Sequence, residues 1–199
     1  MDTRFTHLVG CRLPFQLAVL GGVGTTELAA VVSAGGGLGM VPYGVEPPPT
    51  ELGPSGIGFL IPYLPPVDVI AEAAGGIGTA ERAAALIAAG ADAVRVGTRF
   101  LACPECKTHT AYVEALLAAG ADDTAITGDF DDGGHWPAAV RVLGGSLARA
   151  RRAGNRSTMP PTREAEDPLA MACYAGTSVA DLTRIQPASQ VLRDLAGHL

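Results

Sequence analysis

A glycine-rich motif occurs twice in the chain and constrains its fold more than any other feature. Residues 21–27 read GGVGTTE, and residues 75–81 read GGIGTAE. Each copy follows an apolar run and precedes an alanine-rich stretch, and each carries a threonine that can cap a helix, Thr25 in the first and Thr79 in the second. The two copies therefore predict the same local structure, a strand, a tight turn and a helix.

Short apolar stretches resume after both helices, at residues 37–41 and 91–96, and glycines bound them as they often bound buried parallel strands. Two such βαβ units require a parallel sheet with helices packed on it and right-handed crossovers. A further apolar stretch at residues 57–61 is closed by prolines. We therefore predict an α/β fold whose sheet is mostly parallel and has about five strands.

The pattern changes in the second half of the chain, and we place a boundary at residue 128. Residues 1–128 are predicted to hold the sheet, and residues 129–199 a C-terminal helical region with a polar linker at 153–168. The helices expected in that region lie near residues 138–152, 169–174 and 187–199.

Charge and hydropathy exclude several kinds of partner. The formal net charge is −6, and Lys107 is the only lysine, so no broad basic face is available for nucleic acid or an anionic membrane. Glycine and proline interrupt the apolar stretches well short of the ~20 residues that a membrane span needs. The first residues lack the pattern of a signal peptide, and the four cysteines are too scattered for a disulfide framework. We expect a protein of the cytoplasm with reduced thiols.

Two glycine turns are candidates for binding phosphate. Gly75 and Gly76 close one predicted strand, and Gly97 and Thr98 close the next, so both turns should lie at the same edge of the sheet. Backbone amides and a threonine hydroxyl there would suit a phosphomonoester such as that of flavin mononucleotide (FMN). The same glycines would also serve simple tight turns.

Other motifs are weaker. Residues 21–27 fail the dinucleotide-binding pattern because Glu27 replaces its last glycine. Cys103, Cys106 and His109 do not complete a metal site, and we predict none; a loop that starts a helix is the simpler interpretation. No histidine has an evident catalytic partner by spacing, and His135 is merely the best placed.

Larger segments of the chain resemble the nitronate monooxygenases, also called 2-nitropropane dioxygenases, which are FMN-dependent (βα)8 barrels. Residues 5–11 through 21–23, together with residues 33–40, resemble the first βαβ unit of that family. Residues 73–77 and 90–101, with their GGI and GTRFL motifs, resemble its last two barrel strands and the FMN phosphate site. Residues 136–137 with 141–143, and residues 174–176 with 186–188, resemble its C-terminal region.

The resemblance also has a gap. Residues 62–66 are similar to the end of the third barrel strand of the family and pass directly into residues similar to its seventh, so strands four to six are absent. The segment that carries the family's Gly-Gly-His, whose histidine removes the α-proton of a nitroalkane, is absent too. The family's Ala-Pro-Met after its first strand reads Ala18-Val19-Leu20. The fold that this implies is a shortened TIM-type barrel with a C-terminal helical appendage.

The resemblance implies a cytoplasmic flavoprotein, an oxidoreductase that uses FMN and O2 to oxidise alkyl nitronates. Gly75, Gly76, Gly97 and Thr98 would hold the FMN phosphate, Ala18 and Leu20 would lie near the ring, and the catalytic residues are unknown. Two alternatives remain open: an inactive, truncated member that acts as an FMN- or phosphate-binding or assembly protein, and an FMN-dependent enoyl reductase. Because an open sheet exposes two edges, we also predict a homodimer.

Overall fold

The structure is a computed structural model, and it describes residues 2–42, 44–58, 72–130 and 139–199. Most of the strand expected at 57–61, most of the apolar run at 67–73, and His135 lie outside these residues. Six α-helices and seven strands are described. In chain order they are α1 (Arg4–Val9), β1 (Phe15–Leu17), α2 (Thr26–Ala34), β2 (Gly39–Pro42), β3 (Ser55–Gly58), β4 (Glu72–Ala74), α3 (Ala80–Ala88), β5 (Ala93–Val96), α4 (Thr110–Ala118), β6 (Thr124–Thr127), β7 (Val140–Leu143), α5 (Gly144–Ala153) and α6 (Ala188–Ala196).

The two glycine-rich motifs fold alike, as predicted. Thr25 and Thr79 are the N-caps of α2 and α3, and both have φ −129° and ψ 159°. The hydroxyl of Thr25 accepts a hydrogen bond from the amide of Leu28, and that of Thr79 from the amide of Arg82. Each helix therefore begins where a threonine satisfies one of the amides that the first turn leaves unpaired.

Five parallel strands can be placed in one order from their pairing. β1 pairs in parallel with β5, β5 with β4, and β2 with β3, and an isolated parallel bridge from Gln16 to Leu38 joins the chain at β1 to the start of β2. The order across the sheet is thus β3-β2-β1-β5-β4, with the first strand beside the last of the five. Among the described residues, every consecutive pair in this order is adjacent except β3 and β4, which is the strand arrangement of a barrel interrupted at one place.

This topology confirms the predicted class and strand count. The interruption falls between β3 and β4, where the resemblance placed the missing strands, and residues 59–71, which connect the two, lie outside the described part of the chain. The main core packs the strands against the helices around Phe15, Leu17, Val94 and Val96, all nearly inaccessible to solvent. α6 returns to this core and packs against α2 and α3.

The second half of the chain corrects two predictions. The helix expected at 138–152 begins only at Gly144, because Val140–Leu143 pairs antiparallel with β6. The stretch at 169–174 holds only a 3-10 turn, Pro168–Ala170, after which Tyr174 bridges to Val142. Alternating valines favour a strand once a partner is present, whereas alanine and arginine nearby favour a helix.

The β6–β7 hairpin crosses the boundary that we placed at residue 128. It carries a small second core around Phe130, Val142 and Leu147. Among the helices that the structure describes, none combines the length and the apolar character that crossing a bilayer requires.

Candidate functional site

The two glycine turns lie side by side at the carboxyl edge of the sheet. β4 leads into Gly75 and Gly76, β5 leads into Gly97 and Thr98, and the register of the pair sets Ala74 opposite Arg95. Gly75 and Gly76 have φ +87° and +67°, conformations that an L side chain rarely adopts. Glycine is therefore required here for the turn itself, whatever else the turn does.

A segment from the C-terminal region lies across both turns. The amide of Gly176 donates a hydrogen bond of 3.0 Å to the hydroxyl of Thr98. A Cβ placed on Gly176 would lie 3.3 Å from that hydroxyl oxygen and 3.9 Å from the amide nitrogen of Gly76, and a Cβ on Gly76 would lie 3.2 Å from the hydroxyl of Thr177. Two backbone amides and two hydroxyls thus converge on one small region, which we call the glycine cradle (Gly76, Thr98, Gly176 and Thr177).

An apolar cavity of about 490 Å³ adjoins the cradle. Its size falls in the range of small-molecule and cofactor sites, roughly 300–1,000 Å³. On the sheet side it is lined by the loop after β1, including Val19 and Leu20, and by Gly97, Thr98 and Leu101 after β5.

The C-terminal region supplies the opposite wall of this cavity. The lining residues from that side are Val140, Arg141, Thr158, Met159, Pro160, Tyr174, Ala175 and Gly176. Tyr112 of α4 completes the lining, and its hydroxyl donates to the carbonyl of Tyr174. The cavity is therefore built jointly by the sheet and by the chain that follows it.

The segment 157–163, which falls within the predicted linker, is fixed at both sides. The hydroxyl of Tyr174 donates to the carbonyl of Thr158 at 2.6 Å, and the amide of His109 donates to the carbonyl of Pro161 at 3.2 Å. Arg163 donates to the carbonyls of Pro104 and Cys106. These bonds hold Met159 and Pro160 at the cavity, so the segment works as a wall and not as a free connection.

Glycine at position 22 permits this close approach. A Cβ at Gly22 would lie 3.0 Å from Cε of Met159 and 3.1 Å from Cδ of Pro160, and φ there is +72°. The first glycine-rich motif therefore shapes the cavity wall, whereas the second forms part of the cradle.

A buried arginine fixes the turn after β5 to the end of the chain. Arg99 is only 7% exposed, and its guanidinium donates to the carbonyl of Asp181 at 3.3 Å and to Oε1 of Gln186 at 3.2 Å. The amide group of Gln186 donates in turn to a carboxylate oxygen of Asp194 at 2.9 Å. The contacts of Arg99, the residue after Thr98, thus help to fix the position of Thr98 beside Gly176.

The predicted cofactor residues occupy three kinds of position. Leu20, Gly97 and Thr98 line the cavity, whereas Gly75 and Gly76 belong to the neighbouring turn. Ala18 packs behind the cavity, since a Cβ on Gly97 would lie 3.1 Å from Cβ of Ala18.

Sequence reasoning missed the residues that the C-terminal region brings to the site, above all Arg141, Gly176 and Thr177. The Ala-Gly pair at 175–176, already noted for its resemblance to the family's C-terminal region, was the available signal for Gly176.

The buried cysteines have little nucleophilic character. Burial raises the pKa of the Cys103 thiol strongly and that of the Cys106 thiol to about 12. The imidazole of His109, the N-cap of α4, accepts a hydrogen bond from the amide of Ala111. Within the described residues, no group of three or more metal-ligating side chains could hold a metal ion.

Comparison with known proteins decides the family. The family model for nitronate monooxygenase matches residues 60–197, which is well over half of the chain. The chain belongs to the nitronate monooxygenase family. The match takes in the cradle, the C-terminal wall of the cavity and the returning helix α6, and it confirms the resemblance noted from the motifs.

A curated relative agrees with this assignment. Nitronate monooxygenase from Pseudomonas aeruginosa is 37% identical over 117 residues, covering 52% of this chain and 32% of the relative. The chain thus spans about a third of the length of that relative.

Two solved structures share the fold. FabK from Thermotoga maritima aligns with a TM-score of 0.75 at 20% identity, covering 100% of this chain and 96% of that chain. Nitroalkane oxidase from Streptomyces ansochromogenes aligns with a TM-score of 0.73 at 18% identity, covering 98% and 97%. Both are TIM-type barrels, so these likenesses confirm the predicted shortened barrel.

Proposed function

We propose that the chain binds FMN, with the phosphate in the glycine cradle and the ring system in the adjoining cavity, and oxidises alkyl nitronates with O2. The observation that carries this proposal is the convergence of Gly76, Thr98 and Gly176 at the edge of an apolar cavity of about 490 Å³. Membership of the nitronate monooxygenase family supports the choice of cofactor and of reaction class.

The residues present fit a flavin phosphate. Glycines stand at 76 and 176, where a Cβ would crowd the hydroxyls of Thr177 and Thr98 that a phosphate would use. The Thr98 oxygen accepts from the Gly176 amide, so its own proton can be donated to an anionic oxygen. Charge-assisted bonds of this kind are stronger than neutral ones.

The cavity suits a flat, largely apolar ring. Leu20, Leu101 and Met159 present aliphatic surface to it, and burying such surface excludes water from the reacting atoms. When bound, the flavin would supply the electron transfer to O2, and the protein would bind and orient the substrate.

The cavity holds no obvious base for removing a carbon-bound proton. Among the described residues, its lining includes no histidine and no carboxylate, and burial keeps the pKa of Tyr112 well above its usual value. A nitronate has already lost the α-proton, so its oxidation does not need such a base. The chain should therefore act on nitronates and not on neutral nitroalkanes.

A second candidate is an FMN- or phosphate-binding protein without turnover. The interruption between β3 and β4 favours it, because strands at that place would help to enclose a ring at the carboxyl edge of the sheet.

Reconstitution with FMN followed by oxygen uptake separates the two candidates. An enzyme gives a yellow protein that consumes O2 when propionate 3-nitronate is added, whereas a binding protein gives the same colour without uptake. A colourless protein after incubation with excess FMN contradicts both.

A further inference from the structure

Arg141 is the one charged residue that lines the cavity within the part of the chain that the structure describes. The rest of that lining is mostly aliphatic or aromatic, with a few hydroxyl groups and backbone atoms. An arginine at the edge of an apolar cavity favours an anionic ligand, because the described lining supplies no carboxylate to balance its charge.

The β6–β7 hairpin fixes the side to which Arg141 points. Alternate residues of a strand face opposite sides, and Val142 packs into the small second core whereas Leu143 packs into the main core. Arg141 therefore shares the face of Leu143 and of Ile126, which lies opposite Arg141 in the register and is 63% exposed, so this face runs from the main core to solvent. The carbonyl of Arg141 also accepts from the amide of Ala175, which holds β7 beside the segment that reaches the cradle.

The partner of the guanidinium is neutral. Nη1 of Arg141 donates to the hydroxyl of Thr124 at 3.0 Å, and that hydroxyl donates to the carbonyl of Ala121 at 3.0 Å. The ion pairs recorded among the described residues do not include Arg141. Thr124 thus orients the guanidinium without neutralising it, and the planar group keeps N–H donors in the geometry that suits two oxygens of one ligand.

We propose that Arg141 is the residue that binds the oxyanion of the substrate in the cavity, by pairing with the two oxygens of a nitronate or with a carboxylate on the same molecule. The inference rests on the proposed function and deepens it, since it selects anionic substrates. Arg141 could also pair with the phosphate of the cofactor, which is an oxyanion too. The test therefore has to separate substrate binding from cofactor binding.

The test compares Arg141→Gln and Arg141→Lys with Arg149→Gln, a control at an exposed arginine of α5. Binding of propionate 3-nitronate is measured by calorimetry on the chain without added FMN. Binding of FMN is measured separately by quenching of flavin fluorescence. On protein loaded with FMN, nitrate, a planar oxyanion, is titrated while the flavin absorbance is followed.

We expect Arg141→Gln to weaken binding of the nitronate and of nitrate about ten- to a hundredfold, the range for loss of a hydrogen bond to a charged group. FMN affinity should stay within about twofold of the unchanged protein, as in the control, a change of under half a kcal/mol. Arg141→Lys keeps the charge but loses the paired donors, so its affinity for the nitronate should lie between those of Arg141→Gln and the unchanged protein. This variant also allows the comparison if the glutamine variant is poorly folded.

Unchanged binding of the nitronate in both Arg141 variants would overturn the inference. A loss of FMN affinity with normal nitronate binding would overturn it as well, because it would assign the guanidinium to the phosphate. Failure of the proposed function looks different: the unchanged protein then binds no FMN, while the calorimetric comparison of nitronate binding still decides the role of Arg141.

Discussion

Replacing Gly176 with alanine tests the glycine cradle with a small perturbation. The backbone at Gly176 has φ −78° and ψ 170°, which alanine adopts without strain. The new Cβ would lie 3.3 Å from the hydroxyl oxygen of Thr98, closer than an ordinary van der Waals contact, so that hydroxyl would have to move by a few tenths of an ångström. The change therefore acts on the side chain that we expect to donate to the phosphate.

The structure predicts a large effect on binding and a small one on stability. Weakening the bond from the Gly176 amide to Thr98 costs at most about 1 kcal/mol, and the smaller entropy of an unfolded chain with alanine offsets about 0.4–1 kcal/mol of it. Losing a charge-assisted bond to phosphate costs about 1.5–3 kcal/mol. The Kd for FMN should therefore rise about ten- to a hundredfold, with the midpoint of thermal unfolding nearly unchanged.

The assay is a titration of FMN followed by flavin fluorescence. Gly145→Ala is the matched control, since a Cβ there meets nothing within 4 Å and the residue lies in α5, away from the cavity lining. In a Thr98→Ala background the contact with Gly176 is gone, so Gly176→Ala should then cost much less. Equal FMN affinity for Gly176→Ala and the unchanged protein, or additive effects of the two substitutions, would refute the reasoning.

Four other outcomes are expected. Thr79→Ala should lower the free energy of unfolding by about 1 kcal/mol, and Thr25→Ala by about 1 kcal/mol more, because the Thr25 hydroxyl also donates to the carbonyl of Glu105 at 2.6 Å; equal losses in urea unfolding would contradict this. Because burial raises its pKa to about 12, the Cys106 thiol should react with iodoacetamide at neutral pH only after unfolding, and rapid labelling of the folded chain would refute that. Oxygen uptake should occur with a nitronate and be absent with its neutral nitroalkane, and equal rates would reveal a base that the described lining lacks. β3 and β4, which end the strand order of the described residues, are expected to pair two chains into a homodimer, whereas a stable monomer in size-exclusion chromatography would count against it.

The parts of the fold set by local signals were predictable from the sequence. The repeated motif indicated two strand-turn-helix units, and Thr25 and Thr79 cap both helices because capping depends on residues only three positions apart. The glycine turns after β4 and β5 were predictable for the same reason, and parallel pairing then brings them together.

The C-terminal region was less predictable because its structure depends on distant partners. Val140–Leu143 becomes a strand through pairing with β6, and two alternating valines did not by themselves distinguish it from the arginine-rich helix that follows. The contact of Gly176 with Thr98 joins residues 78 positions apart, and the place of Arg141 depends on the face that the hairpin presents. The C-terminal half of the cavity lining therefore could not be predicted from local sequence patterns.

The most direct test of the central claim compares FMN with riboflavin, which has the same ring and lacks the phosphate. If the cradle of Gly76, Thr98 and Gly176 holds the phosphate, the chain should bind FMN at least about tenfold more tightly than riboflavin. That preference should shrink in Thr98→Ala. Equal affinity for the two flavins, or binding of neither, would contradict the account.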